Sequence, residues 1–151
     1  MATTITTSNL TVATTESITL NGTTYNQTIT KTVADIQTVS KRTITIAANT
    51  THSLATLAST ATNDSFDTED VKYIRVTNLD DTNVVILTLA ASATSGAVEI
   101  PALGTQQLFT VNVNGAASKA AITSVGAIET IFVHNAHGSA TVDIEIFIAS
   151  V

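Results

Sequence analysis

Apolar and polar residues alternate along much of the chain, most regularly in two stretches, Val71–Asn78 and 141–150. A period of two places the apolar side chains on one face of an extended strand. The second stretch predicts an apolar inner face and an acidic outer face: Val142, Ile144, Ile146 and Ile148 inside, Asp143 and Glu145 outside. The pattern therefore predicts a β-sheet protein in which each strand buries one face.

The first strong turn signal is Asn21-Gly22, which lies between the segments 17–20 and 23–33. Asn-Gly supplies both positive φ angles of a type I′ turn, so these segments are predicted to form a β-hairpin. One side of the second strand mixes apolar and polar residues: Tyr25, Ile29 and Val33 with Gln27 and Lys31. Because an isolated hairpin is only marginally stable, we expect this one to lie on another surface.

Further short strands follow, separated by polar turns such as Leu79–Asn83. One of them fits the pattern less simply, because Leu54 and Leu57 fall on opposite faces of a predicted strand. The segment 116–127 is ambiguous between a short helix and a loop. About eight to ten strands without a βαβ alternation predict an all-β protein, an antiparallel β-sandwich of jelly-roll type.

A chain of 151 residues and 15.6 kDa has room for one domain. Residues 1–16 are mostly Thr, Ser, Ala and Asn, and Glu16 is their one charged side chain. We therefore predict an extended N-terminal arm over 1–16 that becomes ordered against a neighbouring subunit. Residues 17–151 are predicted to form a single β-sandwich domain, from which 17–40 protrude as a hairpin.

The composition excludes several classes of protein. The chain has 31 Thr, 14 Val and 15 Ile, so 60 of its 151 residues are β-branched, which rules out an all-α fold. Six Lys and Arg against 12 acids give a net charge of −6, too few cations for a nucleic-acid binder. Cysteine is absent, which removes thiolate catalysis and cysteine zinc sites. Without a long apolar run or a signal-peptide pattern, we expect a soluble protein made in the cytoplasm, with no membrane partner.

Two groups of residues contain side chains that can bind metal ions. His134 and His137 are three residues apart, and Glu129 or Asp143 could add a third ligand, whereas His52 stands alone. Because the two histidines lie at a strand end that runs into a turn, surface histidines are the favoured interpretation. The loop 58–70 carries four carboxylates that could hold calcium, those of Asp64, Asp67, Glu69 and Asp70. Their spacing is not that of an EF-hand.

The sequence also contains acids and serines of the types that act in catalysis. Asp143 and Glu145 lie two apart on one strand face, where paired carboxylates could act as acid and base, although a solvated outer face is the simpler interpretation. Ser53 and Ser65 lack a nucleophile elbow, and the Asp80-Asp81 pair needs no role beyond turn formation. We therefore predict no catalytic, cofactor-binding or metal-binding residue, and a protein that is not an enzyme.

One block resembles a known group of proteins. DVKYIRVTNLDDTNVVILTL, Asp70–Leu89, resembles a strand–turn–strand hairpin of small virion structural proteins of tailed bacteriophages. ALGTQQLFTV, Ala102–Val111, resembles a later part of the same pattern, and the acidic strand 141–150 is in keeping with it. The resemblance carries no catalytic motif, and it implies an architectural role in a head, neck or tail.

From this resemblance we expect a capsid decoration (cement) protein that binds the outside of a phage head and stabilises it through β contacts between subunits. Its expected partners are the major capsid protein and copies of itself, as a homotrimer in a virion assembled in the host cytoplasm, without direct contact with nucleic acid. Two alternatives remain. One is a neck, head-completion or tail protein. The other is a carbohydrate-binding, receptor-binding module, for which Tyr25 and Tyr73 are the only tyrosines and tryptophan is absent.

Overall fold

The computed structural model describes residues 6–91, 95–109 and 128–151. These ranges contain no helix and consist of loops and eleven strands: β1 (Ser8–Leu20), β2 (Thr23–Ile36), β3 (Thr38–Ile46), β4 (Thr50–Ala58), β5 (Phe66–Asp67), β6 (Val71–Asn78), β7 (Val85–Ala90), β8 (Ser95–Ile100), β9 (Thr105–Leu108), β10 (Thr130–Asn135) and β11 (Val142–Ser150). Except for the short β5, which runs parallel to β4, every pairing is antiparallel. The predicted all-β, antiparallel fold class is confirmed.

Strands β3 to β11 form the body, a sandwich of two sheets. The strand order is β5-β4-β10-β7-β8 in the five-stranded sheet and β3-β11-β6-β9 in the four-stranded sheet. Their facing sides bury a core of branched aliphatic side chains, the largest of which are Ile46, Leu54, Ile74, Leu87, Ile100, Ile131, Ile144, Ile146 and Ile148. Among strands β3 to β11, the connections other than β4–β5 and β7–β8 join one sheet of the sandwich to the other. This alternation agrees with a jelly roll, but that finer topology stays a prediction.

The alternation in β11 follows the sequence prediction. Val142 and the three isoleucines of the strand are buried, and Asp143 is exposed. The prediction that Leu54 and Leu57 face opposite sides is wrong, because both are buried. The pairing of β4 with β10 shifts register between Ile131 and Phe132. This β-bulge adds one residue to β4 and so turns both leucines inward.

Strands β1 and β2 form a separate two-stranded sheet, which we call the ribbon (Ser8–Ile36). Its turn has φ angles of 51° at Asn21 and 80° at Gly22, so the predicted type I′ hairpin is confirmed. The strands pair from Ser8–Ile36 up to Leu20–Thr23. The boundary predicted at residue 16 therefore falls inside β1, because threonine-rich residues that lack a core of their own still pair as a strand.

A single residue, Gln37, connects the ribbon to the body. Its backbone N–H donates to the carbonyl of Ser150 at 2.9 Å, next to the start of β3. Residues 1–5 of the predicted arm lie outside the described residues, as does the ambiguous segment 116–127.

Candidate assembly surface

The two faces of the ribbon differ sharply in chemistry. Directly paired residues of an antiparallel ladder point to the same face. One face carries only small or polar side chains, which we call the threonine face: Thr11, Ala13, Thr15, Ser17 and Thr19 with Thr24, Asn26, Thr28, Thr30 and Thr32. Hydroxyls pair across it, as between Thr15 and Thr28 at 3.1 Å. The opposite face, which we call the apolar face, holds the large apolar side chains among a few polar ones. The apolar residues are Leu10, Val12, Ile18, Leu20, Tyr25, Ile29 and Val33, and the polar residues are Thr14, Glu16, Thr23, Gln27 and Lys31.

The base of the apolar face is seated on the outer face of the four-stranded sheet. Leu10, Val12, Val33 and Ile36 pack there in a cluster that is separate from the sandwich core, against Tyr73, Phe147, Ala149 and Val151. The rings of Tyr73 and Phe147 lie 6.0 Å apart in an edge-on arrangement. Burial raises the pKa of the Tyr73 phenol, and the nearby positive charge of Arg75 opposes that rise. This seat holds the ribbon against the body and meets the need of a hairpin for a supporting surface.

A charged network borders the seat. Lys41 Nζ lies 3.0 Å from Glu145 Oε2, and Arg75 binds the other carboxylate oxygen. The hydrogen bond from Lys41 lowers the pKa of Glu145 below its usual value, and Arg75 adds to this while burial opposes it. The Arg75 guanidinium also lies 5.6 Å from the centroid of the Phe147 ring. Arg75 therefore contacts both the carboxylate of Glu145 and an aromatic ring of the seat.

Beyond the seat, the ribbon projects away from the described part of the body. Lys31 lies over the ring of Phe109, 5.7 Å from its centroid, just after the end of β9. The paired rows from Thr14–Ile29 to Leu20–Thr23 continue past this point, and we call them the overhang. On its apolar face four large side chains are each 58–59% exposed: Ile18, Leu20, Tyr25 and Ile29.

The histidines considered as metal ligands are held apart. His134 lies on the outer face of the five-stranded sheet and shares a hydrogen bond with Thr51. Asp143 lies on the outer face of the four-stranded sheet and accepts a hydrogen bond from Thr45. In the turn between them, His137 accepts backbone N–H groups through Nδ1. His52 and Glu129 are exposed, and within the described ranges no three potential ligands converge to hold a metal ion.

The acids of the two loops are either exposed or accept hydrogen bonds from the backbone of their own loop. In the acidic loop, where Asp64 and Asp70 are exposed, Asp67 accepts the backbone N–H of Glu69. The Asp80 carboxylate accepts backbone N–H groups of Asn83 and Thr82, which lower its pKa, while Asp81 is exposed in the same turn.

The residue pairs considered for catalysis are also used elsewhere. Although Asp143 and Glu145 share a strand face, they bind Thr45 and the two cations respectively, so they do not form a paired-carboxylate site. Ser53 is exposed on β4, and Ser65 bonds to Thr62 within its loop.

The sequence prediction missed the aromatic seat. Its signal was present, because Tyr73 and Phe147 are aromatic residues on the outward sides of strands whose inward sides already supply the core. An apolar outer face on such a strand indicates a second covering layer. The sequence does not identify the ribbon as that layer, since its apolar residues are separated by threonines.

Comparisons with known proteins leave the family open. No family model and no curated protein matches the chain. A chain from a solved structure of Bacillus endospore appendages, described as a novel family of disulfide-linked pili, is similar at a TM-score of 0.41 and 12% identity over 75% of this chain and 88% of that one. Likeness at this level carries no functional inference.

Proposed function

We propose that this chain is not an enzyme but a structural subunit of a larger particle. The particle that we propose is a phage head, with this chain as a decoration protein on its outside. The observation that carries the proposal is the overhang, where four large apolar side chains stand exposed on one face of a continuously paired ribbon. Ile18, Leu20 and Tyr25 are neighbours on this face, and the polar row Glu16–Gln27 separates them from Ile29. An exposed apolar patch rimmed by polar residues marks a site of interaction.

The chemistry of the described residues favours architecture over catalysis. Among the candidate acids and histidines, Asp143 binds Thr45, His134 binds Thr51 and Glu145 binds Lys41, so each of these three side chains engages a different partner. No helix in the described part of the chain has the length and apolarity to cross a membrane. The virion form of the proposal rests on the resemblance of Asp70–Leu89 and Ala102–Val111 to phage structural proteins. The expected partners are therefore the major capsid protein and neighbouring copies of this chain.

No observation favours the carbohydrate-binding alternative. Such sites display exposed aromatic rings, and of the two tyrosines Tyr73 is buried in the seat while Tyr25 stands by itself on the overhang. A neck or tail position uses the same kind of contact as a head decoration. Copy number distinguishes them, since a decoration protein is present in hundreds of copies and a neck protein in about a dozen.

The test is to locate the full chain on intact virions by electron microscopy with a specific antibody, and to count copies by quantitative mass spectrometry. We expect labelling over the head and a copy number in the hundreds. A low copy number at the neck or tail would overturn the decoration form, and absence from purified particles would overturn the proposal.

A binding assay then tests the role of the ribbon. A short-ribbon variant lacks 17–20 and 23–26 and keeps Asn21-Gly22 between Glu16 and Gln27, which already pair. The matched control changes the threonine face, Thr19→Ala with Thr24→Ala. We expect the short-ribbon variant to lose at least tenfold in affinity for undecorated heads while the control binds normally. Equal binding of both variants would contradict a role for the overhang.

A further inference from the structure

We propose that the overhang of one copy packs on edge strand β3 of a second copy, with Ile18 on Val39 and Glu16 beside Lys41. The inference rests on the proposed function, because the second copy is the neighbouring subunit of the particle. Beyond the proposed function, the inference names the partner of the overhang, a second copy of the chain, and the strand on which the overhang packs.

The first argument is the continuity of the apolar face. Its base already packs on the outer face of a four-stranded sheet, where Leu10, Val12 and Val33 contact an aromatic surface. The same face then continues along the overhang, where Ile18, Leu20, Tyr25 and Ile29 are exposed. A second copy presents the same sheet, and the overhang would pack on the part of it that the second copy's own ribbon leaves open.

The second argument concerns the part of that sheet which the ribbon leaves open. In the described sheet β3 is an edge strand that pairs only with β11. Val39 lies on its outer face, opposite Ala149, and is 53% exposed. Lys41 lies two residues further on the same face, and its side chain is 57% exposed. An apolar residue and a cation therefore stand side by side on an uncovered strand.

The third argument is complementarity of spacing and charge. On the overhang, Glu16 and Ile18 also stand two residues apart on one face, so both pairs are separated by about 6.8 Å. An antiparallel alignment that seats Ile18 on Val39 therefore brings Glu16 to Lys41. The ammonium group has three donors, so Lys41 can bind Glu16 while it keeps its contact with Glu145. Because copies with a net charge of −6 repel each other, a cation at the contact favours association.

The size of the overhang constrains the assembly. From the row of Thr14–Ile29 to that of Leu20–Thr23, six residue steps span about 20 Å, and two strands are about 10 Å wide. One such contact is smaller than the roughly 800 Å² per partner that a stable pair buries. A copy that both gives a ribbon and receives one doubles the area that it buries. Because the donor and acceptor surfaces differ, repeating the contact forms a ring or an open row.

Directed crosslinking tests the contact, since the chain has no cysteine of its own. Ile18→Cys and Val39→Cys variants that carry tags of different size are mixed and treated with a short bismaleimide, so that only contact between copies gives the mixed crosslink. Sheets packed face to face lie about 10 Å apart, a separation that such a linker spans and a direct disulfide does not. The matched control is Thr19→Cys mixed with Val39→Cys, since Thr19 is the next residue but lies on the threonine face.

We expect the first pair to crosslink at least tenfold more than the control. Equal yields, or crosslinking of Ile18→Cys on decorated heads to the capsid protein instead of a second copy, would overturn the inference. Self-association by sedimentation velocity gives an independent measurement. Ile18→Ser with Tyr25→Ser should weaken it at least tenfold, whereas Thr15→Ser with Thr28→Ser should not. Urea unfolding midpoints check that both double variants and the three cysteine variants fold.

The two proposals can fail separately. A chain that coats heads in high copy number but shows no contact between copies would overturn this inference and leave the decoration function standing. A chain that forms the Ile18–Val39 contact but is absent from virions would overturn the decoration function and leave the contact.

Discussion

Asn78 and Asn135 are equivalent residues that end strands in opposite sheets and hold matching sets of loops. Both are fully buried. Each Nδ2 donates at 2.8 Å to the carbonyl five residues ahead, and each Oδ1 accepts the N–H two residues ahead. Each Nδ2 also donates to two consecutive carbonyls at the end of a strand in the other sheet, Ile100 and Pro101 for Asn78, Ile46 and Ala47 for Asn135. One amide thus ties three chain segments together in each half of the sandwich.

The equivalence extends to the loops that they hold. Asn49 and Leu103 each lie three residues after the strand end held by a buried asparagine. Their N–H groups donate at 2.9 Å to the carbonyls of His137 and Asp80 respectively. Both have left-handed φ angles, 50° for Asn49 and 56° for Leu103. The same local arrangement therefore occurs twice in the sandwich. In one case the asparagine belongs to the four-stranded sheet and the bound strand end to the five-stranded sheet, and in the other case the two sheets have the opposite roles.

Replacing either buried asparagine should destabilise the body. Asn78→Ala leaves buried carbonyls without a donor, and an unsatisfied buried polar group costs about 1–3 kcal/mol. We expect a loss of about 3 kcal/mol for Asn78→Ala and a similar loss for Asn135→Ala, measured by urea denaturation. Asn63→Ala, in the exposed acidic loop, is the matched control and should change stability by less than about 0.5 kcal/mol. A loss at only one of the two positions would contradict their equivalence.

The repeated arrangement also predicts a stabilising substitution. Leucine at a left-handed φ is strained by about 1 kcal/mol, whereas asparagine tolerates this conformation. Leu103 is 67% exposed, so its side chain contributes little burial. Leu103→Asn should therefore raise the free energy of unfolding by about 0.5–1 kcal/mol. The control Leu79→Asn changes an exposed leucine without positive φ, and it should bring no gain.

The network at Glu145 predicts a pH-dependent contribution to stability. Lys41 and Arg75 lower the pKa of Glu145 in the folded state, so the folded protein favours the ionised form. That contribution is fully present above the ordinary glutamate pKa of 4.5 and is lost as the pH falls through the lower folded pKa. We expect Glu145→Gln to cost about 1 kcal/mol at pH 7, as is typical of a partly exposed network.

The pH profile of the difference is the decisive measurement. Unfolding of the wild type and of Glu145→Gln should differ at pH 7 and converge as the pH is lowered below 4.5. A difference that stays constant across this range would show that the substitution acts through packing and not through charge. Glu99→Gln, on the exposed edge strand β8, is the control.

The aromatic seat should decide whether the ribbon stays docked. Tyr73→Ala removes the buried ring beneath it, and truncating a buried aromatic residue costs about 3 kcal/mol. We also expect faster tryptic cleavage at Lys31, because the loosened ribbon opens more often. Tyr25→Ala, which removes the other tyrosine from the exposed overhang, is the control and should leave both measurements unchanged. Unaltered cleavage in Tyr73→Ala would contradict the seat.

The sequence predicts the strands well where one face is apolar and the other polar, as in β6 and β11, and where turn chemistry is specific, as at Asn21-Gly22. It fails at Leu54 because a bulge is set by the partner strand β10 and not by the residues of β4. The full length of β1 was also beyond it, since threonine pairs with threonine without an apolar signal.

The candidate surface could be predicted only in part. The shared face of Tyr25 and Ile29 was evident from their spacing, but which half of that face would be covered depends on how the ribbon lies across the sheet. Asn78 and Asn135 belong to short polar stretches that resemble ordinary turns. Their importance comes from carbonyls up to 89 residues away in sequence, which no local pattern encodes.

The one-residue link at Gln37 has a mechanical consequence. Strand β2 passes almost directly into β3, and β3 is bonded along its length to β11, which lies inside the four-stranded sheet. A force applied at the tip of the overhang is therefore transmitted to the inner strand β11 through a linker of one residue, which can extend very little. A shell built from such subunits would resist internal pressure as a stiff net, in which strain in one unit is shared at once with the next.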